Sequence, residues 1–108
     1  ATSYSIPDGV TTIAQRAFSE LENLKSVDIP DSVQFITQNA FEDSGLSSVV
    51  LPANIKVIDE YAFFFCQKLS SVGYKGEIYT SISKLEKALK ENGVIIGYHS
   101  FASTALAL

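Results

Sequence analysis

The sequence has one cysteine, Cys66, in 108 residues, so it has no intramolecular disulfide to draw on and must be held by packing. Cations are scarce as well. Eight Lys and Arg against twelve Asp and Glu give a net charge of -4, which offers no basic field to phosphates or anionic lipids and argues against nucleic acid as a partner. No apolar run approaches the ~20 residues needed to cross a bilayer. No membrane insertion is therefore expected; the start, Ala1-Thr2-Ser3-Tyr4, lacks the basic and apolar regions of a signal peptide, and a cleaved one would leave no trace.

Groups for chemistry are equally thin. His99 and Cys66 are the only His and Cys, too few for a zinc site. His99 and Ser100 are adjacent, but sequence neighbours on a turn point in different directions, and no third group completes a nucleophile-base arrangement. The adjacent acids Glu42-Asp43 and Asp59-Glu60 read as solvated faces. The six glycines lie scattered at turns, without the spacing of a phosphate loop. No catalytic residue, metal or cofactor is therefore expected, and the chain does not read as an enzyme.

What the sequence does hold is a repeat. Ile6-Pro7, Ile29-Pro30 and Leu51-Pro52 recur at intervals of 23 and 22 residues, and later landmarks keep that phase. Val10, Val33 and Ile55 are followed by Ile13, Ile36 and Ile58, by Ala17-Phe18, Ala40-Phe41 and Ala62-Phe63, by Leu24, Leu46 and Leu69, and by Val27, Val49 and Val72. Such a period marks a solenoid, because one copy cannot bury its apolar residues alone. The second copy is one residue shorter, and the deletion falls at Asp43-Ser44-Gly45, where Gly supports a turn. Leu24, Val27 and Ile29 alternate like a short strand that the following Pro ends, and equivalent strands should pair in parallel. The Ile-x-x-x-Ala-Phe segment reads as one or two helical turns.

These features give an α/β fold: a leucine-rich-repeat solenoid with short parallel strands and short helical turns, plus a C-terminal capping helix. The whole chain, 1–108, reads as a single domain with repeats at about 6–28, 29–50 and 51–73. A fourth repeat, 74–108, is interrupted by a helical insert at 79–93. Tyr74 and Ile78 open it in the places of Ile6 and Val10, and Ile96 to Phe101 resume it. Within the insert Ile82, Leu85 and Leu89 share one face, Ser83 and Glu86 form a capping box, and Asn92-Gly93 supplies the stop.

Phe64 and Phe65 stand where earlier copies have Ser19-Glu20 and Glu42-Asp43. The insert helix is expected to lie over them, and the other reading is an exposed binding patch. Leu106 occupies the next leucine landmark, so the last strand is either left incomplete or finished against another copy of the chain, which opens a route to a homo-oligomer.

The unit Ile-Pro-x-x-Val-x-x-Ile-x-x-x-Ala-Phe with Leu-x-x-Val resembles the BspA-like class of leucine-rich repeats over residues 6–78. That resemblance implies a right-handed superhelix used for adhesion and protein binding, extracellular or at the cell surface. Two departures are visible. The family commonly has Gly where this chain has Ala14, Thr37 and Asp59, and Cys three residues after the Phe, kept only at Cys66, which reads as a small core residue.

A non-catalytic protein-binding or adhesion module is thus expected, the alternative being a structural or self-associating unit. Two surfaces are candidates for the partner protein. The first flanks the inward strand positions, with Lys25, Ser26 and Asp28, then Ser47, Ser48 and Val50, then Ser70 and Ser71. It is mostly serine and lacks the Trp, Tyr and Arg anchors that dominate binding energy. The second is the Val-x-x-Ile side, where Phe35 and Val57 stack into an apolar stripe if they face outward.

Overall fold

The structure is a computed structural model that describes residues 2–108. Its elements run β1 (Ser3–Ser5), β2 (Thr12–Ile13), β3 (Ser26–Asp28), β4 (Phe35–Ile36), β5 (Ser48–Val50), β6 (Val57–Ile58), β7 (Ser71–Tyr74), β8 (Glu77–Tyr79), α1 (Ile82–Glu91) and β9 (Ile95–Ile96). They form a solenoid of about three coils with one short helix near the C-terminus. On one side β2, β4, β6 and β9 make a continuous parallel sheet, with Ile13, Ile36, Ile58 and Ile96 in register. On another, β1 pairs with β3 and β5 with β7, also in parallel.

The repeat phase explains this register. Residues at equivalent positions differ by one coil, so the chain returns each time with the same side chain facing inward. Phe18, Phe41, Phe63 and Phe101 form a single column, their rings 5.1, 5.0 and 5.3 Å apart and within 6° of parallel. Ile36, Ile58, Leu46, Leu69 and Ala62 fill the space around it and are fully buried. On the ladder side no strand pairing joins β3 to β5, and one bond, Ser47 N–H to the Lys25 carbonyl at 3.3 Å, spans the gap. This break falls at the shortened second coil.

The expected helical turns take the form of successive tight turns. Ala17 N–H donates to Ala14 and Ser19 N–H to Arg16 within a coil, whereas Arg16, Phe18 and Glu20 donate to Gln38, Ala40 and Glu42 of the next. The pattern recurs from Asn39, Phe41 and Asp43 to Glu60, Ala62 and Phe64, and from Tyr61, Phe63 and Phe65 to Tyr98, Ser100 and Ala102. An α-helix would use every donor internally; alternation leaves half of them for the neighbouring coil. Left-handed residues bracket each turn: Arg16 and Glu20, Asn39 and Asp43, Tyr61 and Phe65, His99 and Ser103, with φ between 52° and 64°. Each costs roughly 1–2 kcal/mol for a residue with a Cβ, a strain the inter-coil bonds offset.

At the C-terminal end the chain departs from the plain repeat. After β7 it reverses into β8, which pairs antiparallel and takes the edge that a fourth ladder strand would occupy. Ile78 therefore does not fill the place of Val10. It sits beside Gly73 on the outer surface, and Val94 enters the core beside β9 instead. Helix α1 then closes the end of the core with Leu85 and Leu89, both fully buried.

The helix does not lie over Phe64 and Phe65. It packs against β8 and β9, because the returning turn at 98–103 already stacks on that part of the third coil: Phe63 and Phe65 donate to Ser100 and Ala102. The N-cap also differs from the expected capping box at Ser83 and Glu86. Ser81 is extended and its Oγ accepts from Lys84 N–H at 3.4 Å, while Ser83 Oγ donates to the Leu108 carbonyl. Ser81 is fixed as cap because it bridges to Ala107, whose N–H donates to Thr80 and whose carbonyl accepts from Ile82. The last strand thus pairs within its own chain.

Candidate functional site

Three outward surfaces follow from this geometry. On the ladder side, Lys25, Ser26, Asp28, Ser47, Ser48, Val50 and Ser70 are exposed and Ser71 half-buried. Ser3, Ser26 and then Ser48, Ser71 form one row, and Ser5, Asp28 and then Val50, Gly73, Ile78 the next. Much of its polarity is already used: Ser5 Oγ donates to Asp28 at 2.9 Å and Ser70 Oγ to the Ser47 carbonyl. Its apolar content is Val50 and Ile78 on either side of Gly73, and Ile78 was missed in the sequence because the hairpin that delivers it breaks the repeat.

On the opposite sheet, Thr12, Phe35, Val57 and Ile95 are in register and lie on the outer face, since their neighbours Ile13, Ile36 and Ile58 point into the core. The stripe through Phe35 and Val57 therefore exists and extends to Ile95, which is 66% exposed. It is one side chain wide.

The third surface is the turn side, where side chains at four positions of each coil face outward. In the first two coils they are polar: Gln15, Arg16, Ser19 and Glu20, then Gln38, Asn39, Glu42 and Asp43. Here Arg16 meets Glu42 at 3.3 Å, the one ion pair among the described residues. In the last two coils aromatic residues take over. Tyr61 packs edge-on against Phe64 at 5.1 Å and Tyr98 at 5.9 Å; Phe64 stacks on Phe65 at 5.4 Å and on His99 at 6.5 Å. Phe65 remains 43% exposed and Tyr98 61%.

These rings make a platform, and of the three surfaces it alone carries several of the large rigid side chains that anchor protein interfaces. Sequence reading offered Phe64 and Phe65 as an exposed patch only as the alternative to their being covered by the helix, considered His99 for chemistry alone, and did not single out Tyr61 or Tyr98. The available signal was the change from polar to aromatic residues at the non-landmark positions of the third coil; the helical insert hid its continuation in the fourth.

Groups that might do covalent chemistry are placed otherwise. Ser100 takes the alanine position of the repeat, its Oγ buried without a partner, whereas His99 lies exposed among the aromatic rings. The two do not form a nucleophile-base pair. Cys66 is buried, donates to the Phe41 carbonyl at 3.0 Å and meets Ser44 Oγ at 3.4 Å. Burial pushes its thiol above the ordinary value, the reverse of an activated thiolate. Among the described residues no group of three His, Cys, Asp or Glu could hold a metal ion, and no helix is long and apolar enough to cross a membrane.

The family model described as BspA type leucine rich repeat region (6 copies) matches residues 1–105. No curated protein and no solved structure matches the chain.

Proposed function

Because the chain belongs to the BspA-type leucine-rich-repeat family, we propose that it is a non-catalytic protein-binding module whose contact surface is the aromatic turn face. The observation that carries this reading is the aromatic cluster in which half-buried Tyr61 and Phe64 support exposed Phe65, Tyr98 and His99. Contiguous aromatic surface left in water is costly, and on a small protein it marks an interaction site. The serine-rich ladder and the narrow Phe35–Val57–Ile95 stripe support the rim of a contact better than its centre. The family resemblance further favours an adhesive role at a cell surface or in a secreted protein, which surface labelling of intact cells making the full gene product would test.

Selection of displayed peptides against the wild-type protein, counter-screened with a Phe65→Asn, Tyr98→Asn variant, tests the surface. Binders that lose affinity for the variant are expected. Binders indifferent to it but lost on Ser48→Lys would move the contact to the ladder side and overturn the assignment.

A second reading, self-association, is favoured by the first coil. Tyr4 and Leu21 are exposed and Phe18 only half-buried, and β1 and β2 are edge strands. Sedimentation at micromolar concentration separates the two: a monomer is expected, and a dimer broken by Tyr4→Ser would favour assembly.

A further inference from the structure

Resting on the assignment of the turn face as the contact surface, we infer that its occupant is an arginine-bearing segment of a partner protein. Phe65 and Tyr98 each have a carboxylate at the equivalent position one coil back. Asp43 precedes Phe65, and its N–H donates to the Phe64 carbonyl at 2.9 Å; Glu60 precedes Tyr98, whose carbonyl accepts from Tyr61 N–H at 3.0 Å. Adjacent rows in such a ladder lie about 4.8 Å apart. A planar guanidinium is the side chain that satisfies both neighbours together, lying flat on a ring while its N–H groups reach a carboxylate.

The wider charge distribution agrees. Glu20, Glu42, Asp43, Asp59 and Glu60 lie on or beside this side of the solenoid, against Arg16, which Glu42 already engages. Glu60 accepts from Gln38 through one oxygen at 2.7 Å, which leaves the other for a ligand. Beside Phe65 an open depression of 240 Å³ has Glu22 and Asp43 on its rim with Lys68 as its one cation. An acidic segment would find two carboxylates against a single cation, Lys68, at that depression.

Amide NMR titration with Gly-Ser peptides that differ only in carrying Arg, Lys or Glu tests the inference. The Arg peptide is expected to shift the amides of Phe65, Tyr98 and His99, to bind more tightly than the Lys peptide, and to weaken with salt. Asp43→Asn should lower its affinity about threefold and Phe65→Asn about fivefold. Both positions have left-handed φ, 56° and 64°, which asparagine tolerates, so the variants keep the fold. Equal binding of the Glu peptide, or shifts confined to the ladder side, would overturn the inference. A neutral proline-rich peptide that perturbs the same amides more strongly would also overturn it, while leaving the turn face as the contact surface.

Discussion

Gly45 illustrates how much can rest on a single hydrogen atom. It sits at the shortened turn of the second coil, its N–H donating to the Leu21 carbonyl at 3.0 Å, and an added Cβ would run into the Glu22 backbone. Gly45→Ala should therefore lower stability by about 1–3 kcal/mol, the range for overpacking, read from the midpoint of urea unfolding. Cys66, one coil beyond Ser44, is governed by burial in a different way. The thiol should resist alkylating reagents at neutral pH until the chain unfolds. In the unfolded chain it ionises near the ordinary 9.0, but in the fold only at higher pH. Stability should then fall as pH rises past that value, and less steeply in Cys66→Ala.

Among the elements, α1 has a role out of proportion to its ten residues. A solenoid end exposes the interior of its last coil unless something covers it, and Leu85 and Leu89 do so here. Leu89→Ala should cost about 2–5 kcal/mol and lower the thermal midpoint, with the third coil losing amide-exchange protection first. The strands were legible in the sequence because inward residues such as Ile13, Ile36 and Ile58 must recur in phase to share a core. The helix was legible through its apolar face, but not its docking. Ser83 and Glu86 form a plausible box in isolation; only the pairing of Ser81 with Ala107 decides the cap. The aromatic platform was legible in part, since nothing local shows that Tyr98, beyond the insert, returns beside Tyr61.

At the scale of the whole molecule the coils are joined in series and the two ends are not equivalent. Thr2 to Ser5 meet only the first coil, whereas Ala107 is tied to Thr80 and Ile82 and the Leu108 carbonyl accepts from Ser81 and Ser83. Under tension applied through the two termini, the amino-terminal coil should peel away first, its short ladder opening bond by bond like a zipper. The carboxy-terminal clasp, loaded in shear against the helix start, should yield last. Optical-tweezer traces should show stepwise lengthening that begins at low force, and a Ser81→Pro variant, whose ring cannot hold the φ of -124° found there and which loses the hydroxyl that caps the helix and donates to the Leu108 carbonyl, should make the carboxy-terminal clasp yield earlier. Stretched from its ends, a stack built this way would lengthen from one side while the turn face of its last two coils, at the far end, kept its shape.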